Sequence, residues 1–241
     1  MPMTITASSI QWHIQPSSKA LAKIFSERMQ QLGDDAINTH GFASFGLAGG
    51  STPLAAYADF AASDMPWEKM NLALIDERFV PLSDSQSNEA NIGKAFAEVK
   101  NRLNRWQGLY YEAESIEACA KKSGIAMNRF ILPFDLTVIG MGTDGHFASL
   151  FSESPDYEAA MQTDNPHVIV PIRFPDNKSN IDRLSMSFPA LLKTRHALIC
   201  ITGDAKREVL QSCLDGSAPH FALAGFLSAY QGPVDIYWSP A

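Results

Sequence analysis

FDLTVIGMGTDGHFASLF, residues 134–151, sets a largely apolar run against a glycine-rich turn that holds Asp144 and His146 two residues apart. An apolar run that does not alternate suits a strand covered on both faces, as in a parallel sheet between helical layers. The pattern predicts a strand that ends near Gly140 and hands over to a helix through the turn. Glycines allow positive φ and let a ligand come close, so a histidine held in such a turn is presented rather than packed away. Turns of this kind carry the chemistry of α/β folds, and His146 is the expected centre of an active site.

Working outward, similar apolar runs bounded by turn residues recur at 42–48 (FASFGLA), 70–76 (MNLALID), 167–172 (HVIVPI), 196–202 (HALICIT) and 234–238 (VDIYW). Segments with helical spacing lie between most of them, with helices expected at 17–32 and 113–130 and a polar loop at 152–166. The fold class that follows is α/β, a mainly parallel sheet flanked by helices on both faces, Rossmann-like. No repeat, low-complexity tract or linker divides residues 1–241, so one domain is expected. Ligands of such sheets bind beyond the carboxyl ends of the strands.

Composition narrows the partners. Apolar residues make up 46% and charged residues 19%, enough for a sizeable core, and the net charge of -7 argues against a nucleic-acid surface. Cys119, Cys200 and Cys213 form no CxxC pair, which predicts neither a disulfide framework nor a zinc site. No apolar run has membrane-spanning length and no basic-then-apolar leader is visible, so a cytoplasmic location is the default expectation.

Four stretches can carry chemistry. In LAGGSTP (47–53) a strand meets a helix start, with Thr52 expected as N-cap and Pro53 in the first turn. Gly49, Gly50, Ser51 and Thr52 would make a phosphate cradle there, although a tight turn with an ordinary cap reads the same way. In IDERFVPLSDSQSN (75–88), Asp76, Glu77 and Arg78 end a strand on the edge where Gly49 and Asp144 also fall, and Asn88 is expected to cap the next helix. The literal GxGxxG of Gly140, Gly142 and Gly145 is set aside as a dinucleotide site, because Asp144 would meet the pyrophosphate and a proline- and polar-rich stretch stands where the next strand should begin. In RLSMSFPALLKTRHALICITGDAKREVL (183–210), Lys206 sits in a first helical turn, where a lysine suggests a nearby anion; Arg173 and Lys178 are ambiguous between that role and a solvated surface. His13, His40, His167, His196 and His220 lack convergent partners and read as structural. No HExxH, GxSxG or P-loop motif is present.

Taken together, LAGGSTP, DER followed by SN, GMGTDGHFASLF, PALL and GDAK, in that order over residues 17–238, resemble the 6-phosphogluconolactonases of the short, isomerase-like type. The resemblance implies a glucosamine-6-phosphate deaminase-like fold and hydrolysis of 6-phospho-D-glucono-1,5-lactone to 6-phospho-D-gluconate in the oxidative pentose phosphate pathway, with no metal and no cofactor. It implies His146 as general base, Asp144 as its partner, Arg78 facing the oxyanion, and Asp76 and Glu77 positioning hydroxyls or Arg78. The phosphate would rest on Gly49, Gly50, Ser51 and Thr52, with Lys206 and Arg173 adding charge. Deaminases of the same fold usually carry a tyrosine at the place of Arg78 and an FNEP-like continuation at LFSE. Ala48, Phe147 and Ser152 depart from the usual lactonase residues; Phe147, in place of a threonine, is expected to add bulk beside His146 at the pocket lip. The alternatives are a glucosamine-6-phosphate isomerase/deaminase, with Asp76 shuttling a proton, and a non-catalytic sugar-phosphate sensor. The expected partner is a small sugar-phosphate lactone, with no nucleic acid and no membrane, and the oligomeric state is open between monomer and dimer.

Overall fold

The computed structural model describes residues 5–130, 132–174 and 181–241. In chain order the elements are β1 (Ser9–Ile14), α1 (Ser18–His40), β2 (Ala43–Leu47), α2 (Ser51–Ala61), β3 (Met70–Leu74), β4 (Asp76–Arg78), α3 (Asn88–Ala95), β5 (Arg105–Gln107) and α4 (Ile116–Met127). They continue with β6 (Leu136–Ile139), α5 (Tyr157–Met161), β7 (Ile169–Ile172), β8 (Arg183–Met186), α6 (Phe188–Leu191), β9 (Ala197–Thr202), α7 (Asp204–Leu214), α8 (Ala222–Ala229) and β10 (Pro233–Ser239).

Seven strands form one sheet in the order β1-β10-β9-β6-β2-β3-β5, and every neighbouring pair in it is parallel. All residues of β2, β3 and β6 are buried, so both faces at the sheet centre are covered, as their largely apolar sequences suit; the polar exceptions Ser44, Asn71 and Thr137 are buried with them. An aromatic group of Phe45, Phe60, Trp67 and Phe96 packs between the sheet and α2, with Phe60 and Trp67 centroids 5.1 Å apart, edge to face. After β2 the chain moves outward one way, to β3 and β5; after β6 it moves the other way, to β9 and β10. The strand order therefore reverses between β2 and β6, and the crevice of such a sheet opens at their carboxyl ends.

Three expectations change. HVIVPI does not join the parallel sheet: β7 pairs antiparallel with β8, which pairs antiparallel with β4, in a separate three-stranded sheet. The chain crosses between the sheets at Ile75, whose N–H donates to Leu47 and whose carbonyl accepts from Met186. No helix follows the glycine turn after β6; the chain stays in turns until α5, which lies in the stretch expected to be loop. The first helix, capped by the Ser17 hydroxyl, runs past residue 32 and stops only at Gly41, where φ is 90° and the N–H closes on Ile37.

Candidate active site

A cleft of about 250 Å³ lies at the carboxyl ends of β2, β6 and β9, and Gly49, Thr52, Asp76, Arg78, His146 and Lys206 all face it. Seven loops and strand ends from one half of the chain to the other thus converge where the strand order reverses. Arg183, Asn88, Ala148 and Cys200 complete much of the wall.

The loop after β6 folds into a small hairpin. Met141 and Phe147 form an isolated bridge, the Gly142 N–H donates to the His146 carbonyl at 3.0 Å, and the Gly145 N–H donates to Gly142 at 3.2 Å. This turn brings the Asp144 carboxylate to 2.5 Å from Nδ1 of His146. The hydrogen bond with His146 is the main reason the Asp144 carboxyl lies below its usual range, against the opposing effect of burial. With Nδ1–H donating to Asp144, Nε2 is left as the basic nitrogen. Gly142 is required by close approach: a Cβ there would stand 2.2 Å from the Asp144 carboxylate and 2.4 Å from the imidazole. Beyond the histidine, Ala148 takes φ of 49°, a left-handed conformation that a non-glycine residue adopts only when its surroundings hold it.

Phe147 is not at the pocket lip. It is fully buried, 5.2 Å from the ring of Phe226 in α8, and the Leu223 N–H of the same helix donates to the Gly145 carbonyl at 3.1 Å. Its apolar ring turns inward because α8 offers it a buried partner, so the residue that departs from the family anchors the loop from beneath.

Asp76, Glu77 and Arg78 are a strand of the smaller sheet rather than a solvated strand end, and their roles divide. Asp76 is buried, accepts from the Ser149 hydroxyl at 2.7 Å, and so ties β4 to the histidine loop. Glu77 does not reach the cleft. Its carboxylate is fully buried and accepts the N–H groups of Arg78, Asn88 and Glu89 at 2.6, 2.6 and 2.7 Å and the Ser87 hydroxyl at 3.0 Å. Burial pushes its carboxyl up to about 7, while those four hydrogen bonds pull the other way. The substrate-binding role expected of Glu77 is therefore corrected to fixing the start of α3 against β4. Ser87, not Asn88, caps α3, its hydroxyl oxygen accepting from the Ala90 N–H. Asn88 instead accepts from Arg78 Nη1 at 2.8 Å and donates to the Asp76 carbonyl at 3.0 Å. Arg78 also donates to the Gln86 carbonyl at 2.7 Å, and its buried Nε has no partner.

The glycine loop after β2 leads into α2 with Gly50, not Thr52, at the N-cap, and no side chain caps this helix. Thr52 lies one turn position inside it, its hydroxyl 3.3 Å from that of Thr202 at the end of β9. The first N–H groups of α2 are thus without a side-chain acceptor at the cleft, which favours an anion there. Lys206 stands in the first turn of α7 and faces the same cleft. Cys200 lies below it, its thiol pushed up to about 12 by burial despite the pull of the Lys206 charge.

Arg173 is not part of this wall. Its guanidinium is held by Asp156, with Nε at 2.9 Å, and by Glu117 at 3.3 Å, so its charge is spent on α4 and the loop before α5. Lys178 lies outside the described residues. The cation that sequence reading missed is Arg183, directly opposite Arg78 in the β4–β8 register. Its guanidinium Nε donates to the Ile181 carbonyl at 3.3 Å, and burial lowers its pKa. A lone arginine at a strand start carries no spacing signal; only the antiparallel pairing brings it to the site.

A second hollow, about 550 Å³, lies at the amino ends of the strands and is lined by His40, Asp135, Arg195 and His196. Its charges are already matched: Asp135 accepts from the Ser44 N–H at 2.9 Å and faces Arg195 and His40 at 3.3 and 3.4 Å.

Comparison with known proteins agrees with this geometry. Residues 16–230 match the family described as glucosamine-6-phosphate isomerases/6-phosphogluconolactonase. The 6-phosphogluconolactonase of Rhizobium meliloti is 30% identical over 96% of this chain and 100% of its own length. That of Mesorhizobium japonicum is 28% identical over 98% of each. The crystal structure of a 6-phosphogluconolactonase from Shewanella baltica superposes with a TM-score of 0.88 at 26% identity, covering 98% of this chain and 100% of that one.

Proposed function

Since the chain belongs to the family of glucosamine-6-phosphate isomerases and 6-phosphogluconolactonases, we propose that it hydrolyses 6-phospho-D-glucono-1,5-lactone to 6-phospho-D-gluconate, the lactone-opening step of the oxidative pentose phosphate pathway. The observation that carries the reading is the Asp144–His146 pair at 2.5 Å, set in one cleft with an uncapped helix start and the cations Arg78, Arg183 and Lys206. A δ-lactone is a reactive ester, so water can attack its carbonyl carbon without a covalent intermediate. Nε2 of His146 takes a proton from that water as the new C–O bond forms, and Asp144 stabilises the imidazolium. Arg78, held by Asn88 and Gln86 with Nε unpartnered, faces the carbonyl oxygen as it gains charge. Collapse of the tetrahedral intermediate breaks the ring C–O bond, and the imidazolium returns its proton to the departing hydroxyl. Asp76 accepts from sugar hydroxyls. The phosphate rests on the N–H groups and hydroxyls of residues 49–52, with Lys206 and Arg183 supplying charge. No metal enters these steps. The proposed place of action is the cytoplasm, where three free thiols stay reduced.

The test is hydrolysis of freshly generated phosphorylated lactone beside unphosphorylated gluconolactone, with ammonia release from glucosamine-6-phosphate measured in parallel. Acceleration of the phosphorylated lactone alone is expected. Ammonia release without lactone hydrolysis would transfer the protein to the deaminase reading. Lys206→Ala should raise KM for the phosphorylated lactone by about tenfold or more, since a charged hydrogen bond is lost, with a smaller change in kcat. An unchanged KM would remove Lys206 from the phosphate site.

A further inference from the structure

The bond from Asp144 fixes one atom of the His146 ring and leaves the ring free to swing about that bond. Asp144 is itself a loose anchor, its side chain 54% exposed on a short turn. General-base catalysis needs more than a nearby nitrogen; the lone pair must lie along the path of the attacking water. Something else must set the plane of the imidazole.

The ring of Phe151 meets that requirement. It stacks on the His146 imidazole at a centroid separation of 3.9 Å and an interplanar angle of 29°. Phe151 is itself held on other sides: Phe174 meets it edge to face at 5.2 Å, and the Arg183 guanidinium lies over it at 5.3 Å. The residue is buried, so the stack cannot be exchanged for water contact. Phe174 follows β7 and Arg183 opens β8, which makes Phe151 the piece that registers the smaller sheet against the histidine loop.

We propose that Phe151 is a positioning residue that fixes the plane of the His146 imidazole, so that Nε2 points at the water attacking the lactone carbonyl. This rests on the lactonase reading above. It predicts a loss larger in the chemical step than in substrate binding, because Phe151 stacks directly on the base and meets the phosphate site only through the Arg183 guanidinium over its ring.

Phe151→Leu and Phe151→Met keep apolar bulk but remove the flat face, whereas Phe151→Tyr keeps it. The two aliphatic variants should lose about tenfold or more in kcat, with KM for the phosphorylated lactone little changed, and the tyrosine variant should retain most of the activity. Proton NMR reads the stack directly. The imidazole ring protons of His146, assigned by their absence in His146→Ala, should resonate upfield in the wild-type protein and move downfield in either aliphatic variant. A wild-type spectrum without the upfield shift would overturn the proposal even if both aliphatic variants failed to fold. A folded Leu or Met variant with wild-type kcat would overturn it too. A wild-type protein inactive on the lactone would overturn the functional reading and the catalytic role of the ring with it, whereas an active wild type beside an unimpaired aliphatic variant would overturn the role of Phe151 alone.

Discussion

At the scale of single residues, the site depends on close approaches that leave no room for substitution. Gly142→Ala would place a methyl group 2.2 Å from Asp144 and 2.4 Å from His146, so the pair must separate or the turn must open. A displacement of about 1 Å at a reacting group costs about a hundredfold in rate, and kcat of Gly142→Ala should fall by that order. Steady-state kinetics with a thermal melt separates this loss from unfolding; wild-type kcat would show that the turn tolerates the methyl group. Residues with a proposed chemical role were legible in the sequence because a glycine-rich turn containing an aspartate and a histidine has few structural uses. Residues whose role is to hold others were not. Arg183, Ser149 and Phe151 reach the site through pairing, a side-chain hydrogen bond and ring stacking, and none of these leaves a trace in spacing.

At the scale of elements, the start of α3 is the most heavily tied feature. Glu77 accepts four hydrogen bonds and thereby joins β4 to that helix, and the same turn holds Arg78 through Asn88. Glu77→Gln sets an amide N–H against donors and should destabilise the fold by about 2 kcal/mol, with a fall in activity as Arg78 loosens. Urea unfolding checks it, and an unchanged midpoint would mean that the charge of Glu77 is dispensable. The parallel strands were readable because strands buried on both faces are largely apolar, with Ser44, Asn71 and Thr137 as isolated polar exceptions. β4, β5 and β8 escaped because three or four residues carry no period; β1 does carry one, since SIQWHI alternates polar and apolar as a half-buried strand does, but it lacks the continuous apolar run by which the central strands were recognised. HVIVPI was read as a strand but assigned to the wrong sheet, since apolar content alone does not report a pairing partner.

At the scale of the whole molecule, the two ends of the strands are built differently. At the amino end Asp235 is buried and bonded to His196 at 2.9 Å, Arg28 at 3.0 Å and His13 at 3.3 Å, clasping β10, β1 and α1 together. Burial works to raise its carboxyl, but hydrogen bonds from His196 and His13 and the charges of His196 and Arg28 outweigh it and hold it at about 2. A carboxyl depressed in the folded state contributes stability that is present above its unfolded value near 4 and lost as pH falls through 2. The folded protein should therefore lose about 2 kcal/mol over that window through this group, a loss absent from Asp235→Asn. Urea midpoints measured against pH would reveal it, and parallel curves for the two proteins would exclude it. The carboxyl end of the sheet, by contrast, gathers Arg78, Arg183 and Lys206 beside a helix start that no side chain caps, and it is the proposed seat of the substrate anion. Whether that end is a catalyst rather than a receptor turns on His146. The decisive measurement is kcat for hydrolysis of freshly generated 6-phosphogluconolactone by the wild-type protein and by His146→Ala, each corrected for spontaneous opening. A fall of about two to four powers of ten is expected when a general base is removed; equal rates would contradict the assignment of His146 as the base.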